Sequence, residues 1–255
     1  MTKEVYIAYF DLLGFKKFIE NNTETSIDTR MGHIFRDMEL SLTLENIKHS
    51  SISPNIVIPD IDQAKVNCVN ISDTIIYWTN DLNIDSLYNL FLVSFQFNQH
   101  FNIDNFPVRG CLTKGYLNHV MGKYESSNSS LYAVQCLYGK GLVEAHVKAK
   151  SQNWAGTVID QGVIDDLSNS QYSKSFETYC LKYQIPYKKN IFNPKEYAFK
   201  LIGEINNEQH LFNLKHEIEN RFSADNKPIN EISVKEKINN TCDFLDYCYK
   251  KQNQI

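Results

Sequence analysis

The chain has 255 residues, of which 42% are hydrophobic, and this is enough apolar material for a substantial core. Its formal net charge of −4 gives no basic excess of the kind that drives nonspecific nucleic-acid binding, so we expect no nucleic-acid partner. The sequence has no leader-like start, no C-x-x-C pair and no apolar stretch near the roughly 20 residues of a membrane span, which favours a cytoplasmic protein without membrane association.

The first part of the chain alternates between strand and helix patterns. The predicted elements are, in order, a buried strand over 4–10, a turn over 11–14, a helix from Phe15, a helix over 27–44 and a loop over 50–62. Two strands follow, over 65–71 and 74–79, with Ser72 and Asp73 at the bend between them. This part of the sequence therefore predicts two strands that each end in an aspartate.

The second part is predicted from apolar runs and turn residues. Its elements are a strongly apolar helix over 85–101, a strand over 107–114, a polar loop over 122–130, a helix over 139–151, a strand over 157–159, a hairpin over 187–201 around Asn193-Pro194, and two closing amphipathic helices. The last helix carries an apolar stripe that indicates core or dimer packing, formed by Val234, Ile238, Cys242, Leu245 and Cys248.

This order predicts an α+β fold with a ferredoxin-like plan, an antiparallel sheet with helices on one face. We place a core over residues 1–170, and expect residues 171–255 to complete the same domain with a hairpin and helices. We find no internal repeat.

Asp11 and Asp73 are the best functional signal in the sequence. Either one alone has an ordinary explanation, since Asp11 can cap a helix and Asp73 can form a turn. Together, each at the end of a buried strand, they predict a two-carboxylate site for Mg²⁺ or Mn²⁺, because a desolvated carboxylate needs a compensating cation, donor or proton.

The turn after Asp11 adds a second signal. Backbone N–H groups in the Gly-containing segment 12–15 are expected to form an anion site beside the metal. A metal next to a phosphate cradle fits phosphoryl or nucleotidyl transfer, in which the protein positions the reacting groups.

Four segments resemble class III nucleotidyl cyclases. Tyr9-Phe10-Asp11-Leu12-Leu13-Gly14-Phe15 resembles the family element F-x-D-[IL]-x-G-F, and Ile71-Ser72-Asp73-Thr74 resembles the second metal aspartate. Residues 109–115, which begin with Arg109 and end with Gly115, resemble R-x-G-x-H-x-G with Thr113 in place of His. Residues 141–150 lie where the family has G-x-x-V-N-x-A-x-R, and 156–159 resemble the following strand.

This resemblance covers roughly residues 4–160 and implies a reaction. In the family, two ions on the aspartates assist attack of the substrate 3′-hydroxyl on its own α-phosphate, and pyrophosphate leaves. The resemblance assigns the metal ligands to Asp11, Asp73 and the Leu12 carbonyl, and substrate contacts to Phe10, Gly14 and Phe15.

Several positions depart from the family pattern. Glu144 and Lys148 stand where the family has its ribose-orienting Asn and its phosphate-binding Arg; a solvated Glu-Lys pair is the alternative explanation. Val69 replaces the Lys or Glu that reads a purine, and Tyr138 replaces the other base contact. The residues therefore lack the usual purine pocket.

That combination resembles the pyrimidine cyclases of bacterial Pycsar antiphage defence, which make cyclic UMP or cyclic CMP for a companion effector. In this interpretation Arg109 and Asn70 face the base and Tyr138 narrows the pocket, although Arg109 in a buried ion pair is the alternative. An Asn amide serves cytosine or uracil equally, so UTP and CTP stay open. As in relatives, we expect a head-to-tail homodimer with substrate at the subunit interface.

Three other functions remain as alternatives: a purine cyclase with a divergent pocket, a degenerate cyclase-like nucleotide-binding module without turnover, and a two-metal nuclease or polymerase, which the acidic chain disfavours. Lys188 and Lys189 are candidates for triphosphate contact, with solvated surface charge as the simpler explanation, and we assign no histidine to catalysis. Removing either aspartate is expected to abolish turnover and leave the fold intact.

Overall fold

The structure is a computed structural model that describes residues 3–52, 55–188 and 195–253. Its strands are β1 (Lys3–Leu12), β2 (Ile47–His49), β3 (Val57–Pro59), β4 (Asn67–Ile71), β5 (Thr74–Trp78), β6 (Val108–Glu125), β7 (Leu131–Tyr138), β8 (Thr157–Ile159), β9 (Cys180–Gln184) and β10 (Lys195–Phe199). Its helices are α1 (Phe15–Asn21), α2 (Glu24–Leu42), α3 (Ile84–Asp104), α4 (Lys140–Ser151), α5 (Gln161–Ser168), α6 (Phe176–Tyr179), α7 (Glu208–Ser223) and α8 (Ile232–Gln252), with a short 3₁₀ turn at Ile61–Gln63.

One large sheet organises the molecule. Its strand order is β4-β5-β1-β6-β8-β10-β9, and β7 pairs with the far half of β6. All neighbours are antiparallel except β6 and β8, which run parallel. A separate small ladder joins β2 to β3. Because β1 lies between β5 and β6, its residues are bonded on both edges and desolvated.

The two faces of β1 contact different helices, as the two-residue period of a strand requires. Tyr6, Ala8 and Phe10 enter a large aromatic core that includes residues of α2 and α3. Ile7 and Tyr9 point to the opposite face, where they pack with Ala145 and Ala149 of α4. The sheet therefore has helices on both faces, and α4 packs on the face that carries Asp11.

The backbone of α4 lies unusually close to the sheet. A Cβ at Gly115 in β6 would lie 2.6 Å from the Gly141 Cα, which is closer than side chains tolerate. Two facing glycines therefore let α4 contact β6 directly. This contact sets the position of the charged residues farther along the helix.

The C-terminal helices pack on one end of the sheet. Trp154, Phe244 and residues of α7, β9 and β10 form a second core. The apolar stripe of α8 belongs to this core, which confirms packing within the chain for those residues. Strands β9 and β10 extend the same sheet as β1.

The predicted α+β class is confirmed, and several predicted boundaries were wrong. Strand β6 continues to Glu125, and β7 follows, where the polar segment 122–130 was predicted as a loop. The C-terminal hairpin pairs β10 with 180–184 rather than with residues from 187 on; its predicted turn at Asn193-Pro194 lies outside the described residues. Among the described residues, no helix combines the length and apolarity that a membrane crossing requires.

Candidate active site

Asp11 is a buried carboxylate near the end of β1. Its exposed fraction is 3%, and its neighbours in the sheet are Thr74 on β5 and Arg109 on β6. Alternation along β1 places it on the α4 side, two residues after Tyr9. A carboxylate so enclosed must be compensated by charge or by hydrogen bonds.

Two cations supply that compensation. Arg109 donates from Nε and lies with Nη2 on the same Asp11 oxygen, Oδ2, at 2.9 and 2.8 Å. The Lys150 Nζ lies 3.2 Å from the other oxygen, Oδ1. That oxygen is buried and receives no hydrogen bond from the described residues. Oδ1 is therefore paired with Lys150 by charge alone, and it is the Asp11 oxygen that a further ligand would contact.

Asp73 is placed next to Asp11 by the turn between β4 and β5. Ser72 in this turn has φ 56°, and the Asp73 carbonyl accepts a hydrogen bond from the Leu12 N–H at 2.8 Å. Burial raises the pKa of the Tyr9 phenol, and the charges of Asp11 and Asp73 raise it further. The pairing of β1 with β5 and the bond from Leu12 to Asp73 therefore bring together the two segments whose aspartates the sequence singled out.

Tyr9 and His146 form a polar contact that sequence reasoning missed. The Tyr9 hydroxyl lies 2.8 Å from His146 Nδ1 and 3.2 Å from the Thr74 hydroxyl. The available signal was the Tyr at a position where the family element has Phe, since a buried phenol needs a hydrogen-bonding partner. His146 thereby lies beside the two aspartates.

Lys150 and Gln152 were also missed. Gln152 is fully buried; it donates to the Gly110 carbonyl at 2.8 Å, and its own carbonyl accepts from Arg109 at 3.3 Å. The parallel pairing of β6 with β8 brings the end of α4 to Arg109. The β6–β8 pairing joins residues that are distant in the chain, so the sequence does not show it directly. The only available signal was that Lys150 and Gln152 lie just before the strand pattern of β8.

The turn after Asp11 is less open than predicted. The N–H groups of Leu12 and Leu13 already donate to the carbonyls of Asp73 and Pro107, each at 2.8 Å. Gly14 has φ 84°, in the left-handed region that favours glycine, and begins the seven-residue α1. Of the predicted amide cradle, residues 14 and 15 alone keep N–H groups outside these bonds.

The predicted substrate contacts divide between two places. The Phe10 side chain is fully buried against Phe97 on the α3 side, on the face of the sheet opposite Asp11. Phe15 packs against Phe18 and Phe106. The side chains of Phe10 and Phe15 therefore belong to the aromatic core that supports the turn after Asp11.

The two functional residues predicted on α4, Lys148 for catalysis and Glu144 for substrate binding, have different surroundings. Lys148 bonds to both Asp160 and Glu196, and although burial alone lowers its pKa, these carboxylates raise the pKa above the usual lysine value. Glu144 is exposed on the same helix. Lys148 is thus held by two carboxylates, while Glu144 faces solvent.

The residues predicted at the base lie in different environments. Arg109 is committed to Asp11, as the alternative explanation proposed. Asn70 donates to the carbonyls of Ser72 and Thr74 at 3.2 and 3.1 Å, and so stabilises the Asp73 turn. Tyr138 is half exposed and pairs with Asn118 in the middle of β6, next to Leu117, which pairs with Lys3 at the start of β1. Lys3 and Asp11 are eight positions apart on β1, roughly 25 Å at strand spacing.

The residues present fit a hard divalent cation. Asp11 offers a buried oxygen without a hydrogen bond, and Asp73 offers a second carboxylate at the adjacent turn. Within the described ranges no three or more His, Cys, Asp and Glu side chains gather as a metal-binding group. Mg²⁺ needs no such group, because it binds one or two carboxylates and takes its other ligands from water and substrate phosphates.

Comparison with known proteins supports the fold. No family model and no curated protein sequence matches the chain. Among solved structures, the guanylate cyclase domain of RhGC from Catenaria anguillulae in complex with GTP is similar, with TM-score 0.51 and 9% identity over 78% of this chain and 96% of that domain. The catalytic core of a rhodopsin-guanylyl cyclase with converted specificity, in complex with ATPαS, has TM-score 0.51 and 8% identity over 78% and 95%.

The chain has the fold of class III nucleotidyl cyclase domains. Because the sequence identities are only 8–9%, this similarity establishes the fold and does not establish the function. The function must be argued from Asp11, Asp73 and the charged groups around them.

Proposed function

We propose that the protein is a metal-dependent nucleotidyl cyclase, which converts a nucleoside triphosphate to its 3′,5′-cyclic monophosphate and pyrophosphate. The observation that carries this proposal is the Asp11–Asp73 pair. The Leu12 N–H bond to the Asp73 carbonyl joins the two segments, and Asp11 Oδ1 is buried without a hydrogen bond. A site built in this way is suited to two Mg²⁺ or Mn²⁺ ions.

Each residue of the site has a distinct task in this proposal. Asp11, Asp73 and the Leu12 carbonyl hold the ions, which when bound acidify the 3′-hydroxyl and neutralise charge on the phosphates. Arg109 fixes the orientation of Asp11 through two contacts to Oδ2. Gly14 lets the chain turn away directly after the ligands.

We propose UTP or CTP as the substrate, so that cyclic UMP or cyclic CMP is the messenger for an effector in antiviral defence. The support is chemical: Val69, where the family places its purine-reading Lys or Glu, is a buried apolar residue of β4. Such a side chain offers no hydrogen bond to a base edge. A purine substrate is the alternative, since the two similar structures hold GTP and ATPαS.

We also propose a head-to-tail homodimer. Tyr138 and Asp11 lie at opposite ends of β1 in one chain, so a single copy does not bring them to one ligand. The hairpin of β6 and β7 exposes apolar side chains of the kind that a second copy covers, namely Val120, Met121, Tyr124, Leu131 and Tyr132. The mass of the purified protein in solution checks this arrangement.

Product identification tests the function. Purified protein with Mn²⁺ is incubated with equal amounts of ATP, GTP, CTP and UTP, and products are identified by mass spectrometry. We expect one cyclic pyrimidine nucleotide and an equal amount of pyrophosphate. Asp73→Asn should lower turnover by about 10³-fold, because metal assistance is worth several kcal/mol.

A matched control separates chemistry from folding. Asp28→Asn removes an exposed carboxylate on α2 and should leave turnover unchanged. A cyclic purine product would replace the pyrimidine assignment and keep the cyclase. Nucleotide binding without any cyclic product would favour the degenerate binding module, to which the ion-paired Lys148 already points.

A further inference from the structure

Four cations from separate parts of the chain lie in the region of Asp11, and two of them, Arg109 and Lys150, contact its carboxylate. Arg109 comes from β6, Lys150 from α4, Lys188 from the segment after β9, and Lys237 from α8. The Lys188 Nζ donates to the Lys150 carbonyl, and its backbone N–H donates to the Ser151 carbonyl at 2.8 Å. We name Lys150, Lys188 and Lys237 the lysine cluster.

Helix α8 is fixed against this region by its own contacts. Asn240 donates to the Asn153 carbonyl at 2.7 Å, and Thr241 accepts from the Ala155 N–H at 2.9 Å. These bonds hold Lys237 beside the segment that follows Lys150. The position of Lys237 therefore depends on the C-terminal helices, to which the sequence assigned no role beyond completing the domain.

The cations repel one another. Burial and, after it, the charges of Arg109, Lys237 and Lys150 together lower the pKa of Lys188 to about 8, although Asp11 acts in the opposite direction. Burial and then Arg109 lower the pKa of Lys237, against Glu236 and Glu231. The charges that act most strongly on Lys188 are thus three cations and one carboxylate. Asp11 is already committed to Arg109 and Lys150.

A cavity opens next to this excess positive charge. It has a volume of about 220 Å³ and lies between the turn after β1 and the start of α8. Leu13, Gly14, Lys17 and Lys237 line it, together with Glu231. The cavity therefore begins two residues after Asp11, at Leu13, and reaches Lys237 of the lysine cluster.

We infer that α8 contributes Lys237 to the site of the substrate polyphosphate, beside Lys150 and Lys188. A polyphosphate relieves the repulsion among the cations, and charge-assisted bonds to phosphate are the strong ones in proteins. The inference rests on the proposed function for the identity of the ligand. It gives the C-terminal helices a direct role in substrate binding.

Inorganic tripolyphosphate tests the site without metal or base. It is titrated calorimetrically into the full chain in the presence of EDTA. We expect Lys237→Met and Lys150→Met each to weaken tripolyphosphate binding about tenfold. This effect is near the lower end of the range for loss of a charge-assisted hydrogen bond, because both lysines are partly exposed to solvent. Lys235→Met, an exposed lysine on the same helix, should leave the affinity unchanged.

The outcomes separate this inference from the proposed function. Equal affinities for Lys237→Met and Lys235→Met, or no binding by the unaltered protein, would overturn the inference. Lysine-dependent binding with no cyclic product from any triphosphate would support the inference and refute the cyclase. An unchanged KM for the substrate in Lys237→Met, with cyclic product formed, would overturn the inference and keep the cyclase. Melting curves establish that each variant is folded.

Discussion

The two faces of β1 differ in polarity, because successive residues of the strand point to opposite sides of the sheet. Tyr6, Ala8 and Phe10 enter an aromatic core beneath α2 and α3. On the other face, Ile7 is apolar, Tyr9 is hydrogen-bonded and Asp11 is ion-paired. One strand therefore anchors the fold on one side and becomes steadily more polar toward the candidate site on the other.

The two sides of β1 also differ in how a buried charge is compensated. Beside Asp11, opposite charges lie within hydrogen-bonding distance, so burial is compensated. At the aromatic core, the buried cation Lys227 lies over the Phe106 ring and has no hydrogen-bond partner among the described residues. Substitutions on the two faces should therefore differ in what they damage.

Phe10→Ala should give the largest loss of stability. The Phe10 ring is fully buried and packs against Phe97 and Tyr77, so its removal leaves a cavity. We expect the free energy of unfolding to fall by about 3–5 kcal/mol. Tyr9→Phe, one residue away on the other face, should cost only about 1 kcal/mol through its lost hydrogen bonds. Urea denaturation measures both, and equal losses would refute the division between the faces.

Asp11→Ala should be the next most damaging change to stability, by about 3 kcal/mol, because it leaves the buried Arg109 guanidinium unpaired. The ion pair reverses the sequence-based expectation that removing Asp11 leaves the fold unaffected. Arg109→Met in the same chain should restore most of the loss, since no buried charge then remains unpaired. A double variant that is no more stable than Asp11→Ala would show that the pair does not carry this energy.

The sequence predicted what local patterns and motifs determine. Alternation and buried runs located β1, β4 and β5, and the bend between β4 and β5 placed Asp73 at the end of its strand. The pairing of β1 with β5 then brought it to Asp11, as expected. These features depend on residues close together in the chain or on a single strand pairing.

The partners of the charged residues could not be predicted in the same way. Lys148 was expected at the phosphate, but Asp160 and Glu196 reach it from strand ends that are distant in sequence. Lys150 reaches Asp11 because α4 packs on β6 through Gly115 and Gly141. Periodicity shows which face a residue occupies; it does not show which distant charge lies opposite.

Lys227 should give a smaller effect than Phe10→Ala or Asp11→Ala, and one that depends on pH. Burial lowers the pKa of its amine to about 7, although Asp225 lies 4.0 Å away. The unfolded chain keeps the ordinary lysine pKa of 10.5, so between these values the unfolded state binds more protons and stability rises with pH. The Phe106 ring, 3.7 Å from the amine, favours the charged form and reduces the rise to about 2 kcal/mol.

Urea denaturation from about pH 7 to about pH 10 measures this rise against a variant that cannot titrate. Lys227→Met should exceed the unaltered protein in stability near pH 7, and the difference should shrink as the pH increases, because neutral lysine and methionine are then both uncharged. Lys235→Met on the surface of α8 should follow the unaltered protein throughout. If the free energies of unfolding of Lys227→Met and the unaltered protein changed in parallel with pH, the pKa of Lys227 would not be lowered in the folded state. The aromatic core would then accommodate this charge as well as the Asp11 side accommodates its ion pairs.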